Sequence, residues 1–424
     1  MLAERADRIA FGSLVAFGLL GPVSQGLQET TLGIAVIAWL VSLALGRRMP
    51  QRTAAWLPLL LWFLVAALSI VNSVNLHASL GGLRKIVRAV SILAVAAETI
   101  RTERRLVAVL TATLAGAALI SLDGLGQVLS GSDFLFHHIA GEAPGGLRRL
   151  AATFGHPNDF GIYAVSILPA CVAVACSGGA SSRLIDSGGT RHRIAFAIAK
   201  AIRRAAWPII GLLGVALLCT FSRPSVVAVT VSFTALLILR RAWRTLGLCA
   251  AAGVIGLLCL PAPIREWAAA QPSWFDALVQ PLRKEIWQAA LNMIAAHPFI
   301  GVGVNTFVLN YARYKLPMDT IQSAYAHNHY LHMAAEIGLI GLAAFVFLLV
   351  RAAGAWRELL RSSAGRMTWL LTGVGCGVVA FLAIGLLESA LYSARTNAFF
   401  WVWLGVLFGM ASSQGLDSST GRCV

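Results

Sequence analysis

The stretch AYAHNHYLHMAAEIGLIGL, residues 324–342, puts three histidines and a glutamate where a polar cluster runs into an apolar segment. If a helix starts by Asn328, then His329, His332 and Glu336 follow at spacings of three and four and share one face. A neutral imidazole there can take a proton from an attacking hydroxyl, because histidine changes charge near physiological pH. His329 and His332 are therefore candidates for such a base, beside Glu336. The same residues also allow an interfacial cap with its hydrogen bonds. A third reading has His327, His329 and His332 offer nitrogens to a metal. Without flanking Cys or Asp, H-x-H-x-x-H is a weak metal signal, and the basic surroundings repel a cation; no metal is expected.

Two arginines are placed for an anion. The segment PLRKEIWQAALNMIAAHPFIGVGVNTF, residues 281–307, reads as an amphipathic helix from Pro281, with Arg283, Ile286, Trp287, Ala290, Leu291 and Ile294 on one stripe. A cation in the first turn opposes the helix dipole, so Arg283 needs an anion to meet, and a guanidinium beside free backbone N–H groups suits a phosphate. Snorkelling at a membrane interface is the blander alternative. In TFSRPS, residues 220–225, Pro224 fits a first helical turn and leaves Arg223 at a helix start. In RRLAATFGHPNDFG, residues 148–161, Asn158 or Asp159 reads as a helix cap, and Arg148 and Arg149 add charge nearby. Gly301 and Gly303 read as a turn, since neither a third glycine nor a strand accompanies them.

The elements that must position these residues are membrane spans. The 424 residues are 58% hydrophobic and 12% charged, with mean hydropathy +0.76, a balance no soluble core explains. On the length a bilayer requires, about twelve spans emerge: 9–25, 30–46, 54–72, 84–100, 106–128, 159–177, 205–221, 224–240, 244–262, 330–350, 367–387 and 395–412. The first imitates a secretory leader, but no small-residue cleavage site follows, and it is kept as a span. The net charge of +16 reports orientation before it reports any nucleic-acid partner, and none is expected. With the N-terminus inside, the inner segments hold 22 of the 34 Lys and Arg. Arg84, Lys85 and Arg88, at the outer end of the fourth span, are left without an orienting role. The acidic residues Asp123, Asp159, Glu336 and Glu388 all fall toward outer ends, which favours an outer reaction chamber over a path through the midplane. The one long connection, 263–329, is the expected extracytoplasmic helical loop within a single polytopic domain, 1–424. The seven cysteines lie in apolar runs, at the end of one (Cys259) or in the tail (Cys423), and suggest neither a disulfide nor zinc.

At TFGHPNDFG (153–161), FSRPS (221–225), IWQAALNMIAAHPFIGVGVNTF (286–307) and AHNHYLHMAAEIGLIGL (326–342) the sequence resembles the O-antigen ligase and polymerase superfamily of membrane glycan transferases. It departs from the family pattern at Pro224, where a small residue is common. The resemblance implies an all-α fold of the glycosyltransferase C type and a metal-independent, cofactor-free inverting transferase in the bacterial inner membrane, facing the periplasm. It implies an undecaprenyl-diphosphate-linked glycan as donor and a lipid A-core or other glycan as acceptor, in contact with membrane lipids. Carried over, His329 matches the catalytic histidine, and Arg223 and Arg283 the arginines that hold the diphosphate. Supporting candidates are His327, Asn328, His332, Glu336, Arg148, Arg149, Arg84 and Arg88.

The expected activity is O-antigen ligation, with O-antigen or exopolysaccharide polymerisation and protein O-glycosylation as alternatives that differ in acceptor. A transporter or flippase is the rival of another class. Transporters place ionisable groups near the midplane, whereas this chain puts them at the rim.

Overall fold

The computed structural model describes residues 1–142, 146–177, 190–258, 281–317 and 319–415. The chain is mostly helical: α1 (Leu2–Leu20), α2 (Gln25–Leu45), α3 (Trp56–Leu68), α4 (Leu76–Thr99), α5 (Glu103–Ser130), α6 (Pro157–Cys176), α7 (Thr190–Leu218), α8 (Arg223–Leu239), α9 (Trp243–Leu258), α10 (Pro281–Ala296), α11 (Phe307–Tyr314), α12 (His329–Ser362), α13 (Gly365–Ile384) and α14 (Ala394–Ser413). Each of the twelve expected spans overlaps one of these helices, the one at 244–262 as far as the described residues run. Among the described residues six helices, within α2, α5, α6, α7, α12 and α13, are long and apolar enough to cross a membrane. This is a multi-pass membrane protein. The part of the expected loop at 263–280, and Cys259 and Cys423, lie outside the described residues.

Side-chain oxygens start several helices where the first N–H groups lack partners: Ser24 accepts from Leu27, Asn75 from Ala78 and Thr102 from Arg105. The core gathers on α14, whose Phe399, Phe400, Trp401 and Trp403 are buried between α4, α6, α12 and α13. Gly405 and Gly409 let α14 approach α4, since a Cβ at either would run into its backbone. The outer faces of α2 and α3 carry exposed Ile34, Ile37, Leu40, Leu57, Leu60 and Leu64, a surface suited to hydrocarbon.

The span expected at 330–350 is broken. Gly338 stands at φ 73°, ψ 178° inside α12, a conformation open essentially only to glycine. The carbonyls that the break frees are taken by the turn at Gly301 and Gly303: Val302 N–H donates to Ala335 O and Gly303 N–H to Glu336 O, both at 2.9 Å, while Leu339 N–H returns to Pro298 O at 2.8 Å. The turn thereby docks a small lobe on the bundle. In that lobe Ile286, Ala289, Ala290 and Met293 of α10 pack with Phe307, Tyr311, Ala326 and Ala335. The buried face of α10 is therefore rotated from the expected stripe, and Leu291 is exposed. Gly338→Ala is expected to lower stability by about 1–3 kcal/mol from backbone strain alone, and by more where its Cβ meets Phe299. A melting temperature in detergent equal to that of the wild type would contradict this account.

Candidate active site

Where α6, α8, α10 and the start of α12 meet, a cleft opens that is lined by Arg149, His156, Asn158, Phe221, Arg223, Arg283 and His327, among others. Its cations come from three sequence-distant turns. Arg223 is the first residue of α8 and is followed by Pro224, as the turn predicts. Arg149 sits on β2 (Arg148–Arg149), which pairs antiparallel with β1 (Gly141–Glu142), and its Nε donates to Thr220 O at 3.0 Å. Burial draws its guanidinium below the ordinary arginine value. Arg283, in the first turn of α10, is buried, on a face rotated from the expected stripe. Arg223 feels the positive charge of both Arg283 and Arg149, and such a cluster favours an anion among them.

The anion that Arg283 meets within the chain is Glu388, on the connection between α13 and α14. Arg283 Nη2 donates to Glu388 Oε1 at 2.7 Å and Nη1 donates to Leu387 O. Asn158 Nδ2 donates to the same Oε1 at 2.7 Å, and His327 Nδ1 stands 3.1 Å from Oε2. One carboxylate thus ties α6, α10, the His327 turn and the α13–α14 connection. Burial pushes the Glu388 carboxyl up, but the His327 hydrogen bond and the Arg283 guanidinium outweigh it and hold it below its ordinary 4.5. A carboxyl lowered by folding stabilises the fold fully above its ordinary value, and that stability is lost as pH falls through the lowered one. Glu388→Gln is accordingly expected to melt below the wild type at pH 7, with the gap closing under pH 4.5; a pH-independent gap would contradict the assignment.

The histidines separate. His327 has φ 45°, an uncommon backbone for a non-glycine residue, and Phe221 across the cleft has φ 52°. The turn holds the His327 side chain, 40% exposed, over the cleft. His329 is 0% exposed. Its ring stacks on Phe381 at 6.0 Å between centroids, beside Tyr330 and Phe345, and neither ring nitrogen has a hydrogen-bond partner among the described residues. His329 is thus turned away from the arginines, contrary to the expectation that it is the base. The reason is register: its position as first residue of α12 sends its side chain into the bundle, while His327 lies two residues ahead of the helix. His332 faces elsewhere again, with Nε2 3.3 Å from Glu336 Oε1, and Glu336 in turn accepts from Phe307 N–H at 2.9 Å. The three imidazoles do not converge, and among the described residues no group of three or more His, Cys, Asp or Glu is placed to hold a metal.

Of the other candidates, Asn328 caps α12, accepting from Tyr330 and Leu331 N–H at 3.0 Å. Arg148 faces away from the cleft and donates to Val128 O and Leu129 O at the end of α5. Arg88 binds Glu29 and Asn397, and Arg84 is exposed on α4. The cap of α6 is His156, which accepts from Asn158 N–H, rather than Asn158 or Asp159. Sequence reading marked Glu388 as an outer acid but did not pair it, and no spacing links it to Asn158, Arg283 and His327.

Residues 208–346 match the Wzy_C family model, described as O-antigen ligase. The matched segment supplies Arg223, Arg283 and His327 to the cleft, while Arg149, Asn158 and Glu388 lie outside it. No curated protein matches the chain. The match supports the O-antigen ligase-like superfamily and glycan transfer of the ligase or polymerase type.

Proposed function

We propose, with that O-antigen ligase-like segment as premise, that the cleft transfers a glycan from a polyprenyl diphosphate, undecaprenyl diphosphate in bacteria, to a lipid A-core acceptor on the periplasmic side of the inner membrane. The observation that carries this reading is the meeting of three guanidiniums with an imidazole whose Nδ1 is held by a carboxylate. With Nδ1–H donating to Glu388, Nε2 carries the free lone pair. That nitrogen is the base: it takes the proton of the acceptor hydroxyl as the oxygen bonds to the anomeric carbon from the face opposite the leaving group. The bond from that carbon to the diphosphate oxygen breaks, and the electron pair leaves with the lipid diphosphate. Arg223, Arg283 and Arg149 offset the charge that develops there, a task metal ions perform elsewhere. His329, by this reading, supports the fold beneath the cleft.

The experiment is turnover by purified protein in detergent, using a defined lipid-linked donor and several acceptors. Transfer is expected, and it is expected to survive prolonged chelation. A protein that acts only across a sealed membrane would be a transporter instead. In cells, loss of all long-chain lipopolysaccharide on deletion indicates ligation, whereas a single repeat left on the core indicates polymerisation.

A further inference from the structure

Of the three cleft arginines, Arg149 stands on no helix. Arg223 and Arg283 occupy first helical turns, whereas Arg149 is carried by the ribbon of β1 and β2, two residues a side. A two-stranded ribbon of that length does not hold itself in place. Its position is imposed by the C-terminal end of α5. Asp123 Oδ1 accepts from Phe134 and Leu135 N–H at 2.9 and 3.1 Å, and Val128 and Leu129 offer their carbonyls to Arg148. Leu150 packs so closely on Gly124 that a Cβ there would stand 2.8 Å from it.

Gln127 closes this grip from within. It is fully buried, and both ends of its amide are spent on backbone. Nε2 donates to His138 O at 3.0 Å, ahead of β1, while Oε1 accepts from Ala151 and Ala152 N–H at 2.9 and 2.8 Å, just past β2. One side chain thus pins the backbone on both sides of the ribbon. Ala152 turns the chain at φ 49°, uncommon for a non-glycine residue. Its neighbour Leu150 donates N–H to Cys219 O at 2.9 Å, and Arg149 Nε donates to Thr220 O. The segment that Gln127 holds is therefore laid against the turn that carries Arg223. Removing the amide leaves two buried N–H groups unpaired, at the full cost of their desolvation. Relief requires residues 150–152 to shift, and Arg149 shifts with them.

We propose that Gln127 is a positioning residue for the site: without touching substrate, it sets Arg149 beside the Arg223 turn and so completes the anion cluster. Resting on the transfer reading, it makes the third arginine of the diphosphate clamp depend on a buried amide of α5, in a part of the chain outside the matched segment. A glutamine that only ties the core would act differently. Its loss would cost stability and leave the folded protein's affinity for a diphosphate untouched.

The test is calorimetric titration of the full-length, monodisperse protein in neutral detergent with farnesyl diphosphate, a prenyl diphosphate that carries no sugar. Arg149→Gln is expected to bind about tenfold more weakly than the wild type, the scale of one charge-assisted hydrogen bond. Gln127→Met, similar in volume but without an amide, is expected to lose about as much, and the double variant no more than either alone, because both changes remove one interaction. Gln127→Asn keeps an amide one methylene short of reaching both sides. It is expected to show a smaller loss, again not compounded by Arg149→Gln, and it carries the test if Gln127→Met does not fold. Wild-type affinity in the folded Gln127 variants overturns the proposal, as do losses that multiply to about a hundredfold in the double variant or unchanged binding by Arg149→Gln. Binding without glycan transfer by the wild type would fault the transfer reading alone, while a wild type that does not bind takes the proposal with it.

Discussion

His327→Ala is expected to lower glycan transfer by about 10²–10⁴-fold, the usual contribution of a general base, with the protein still inserted at normal abundance. The control is His329→Leu. An apolar group of similar size replaces an imidazole whose nitrogens have no partners among the described residues, and such exchanges are close to neutral for stability. Transfer by His329→Leu should therefore stay near the wild type. The pair decides between two imidazoles only two positions apart. Loss in His329→Leu with activity retained in His327→Ala would return the base to the residue that the sequence favours. His327→Ala also removes one hydrogen bond from Glu388, so part of its effect can reach Arg283. His327→Gln, whose amide can still donate to the carboxylate but offers no basic nitrogen, separates the two. If the imidazole acts only as a strut, His327→Gln recovers most of the activity; if it is the base, it does not.

The helices were legible in the sequence because long apolar stretches advertise themselves, and each of the twelve expected stretches overlaps one, although among the described residues only six are long and apolar enough to cross a membrane. The placement of Arg223 and Arg283 in first helical turns was legible for a local reason, since a nearby proline writes the start of each helix. The histidine was not. Spacings of three and four gathered His332 with Glu336, 3.3 Å apart, but His329 turns instead to Phe381 of α13, and all three are buried. The residue facing the cleft sits before the helix, in a left-handed turn that periodicity does not describe. Arg148 and Arg149 show the same limit with period two: neighbours on a strand point opposite ways, one capping α5 and one entering the cleft. Glu388 was the hardest to place. A carboxylate that joins four chain segments gets its meaning from tertiary contacts, and nothing local in the sequence announces them.

Arg283→Lys is expected to cost about 10²–10³-fold in kcat/KM, the range for removing one aimed donor from a developing oxyanion, whereas Lys284→Arg, on the exposed side of the same turn, should change little. Charge is conserved in both, so the contrast tests geometry. The Arg283 guanidinium donates through two nitrogens to Leu387 O and Glu388 while its plane borders the cleft, and a lysine ammonium cannot fill both duties from one point. Arg283→Ala is a poorer probe. It leaves Glu388 buried beside Asn158 without its guanidinium, and breaking a buried pair costs about 3–5 kcal/mol of stability. The double variant Arg283→Lys, Glu388→Gln resolves what remains. If Glu388 serves only to position the arginine, the second change adds little once the arginine is gone, and the two losses fall well short of multiplying. If the losses multiply, the carboxylate acts through His327 instead, by fixing Nδ1–H and leaving Nε2 as the base. Either result orders the site's parts, and undiminished transfer by Arg283→Lys would remove Arg283 from the diphosphate clamp.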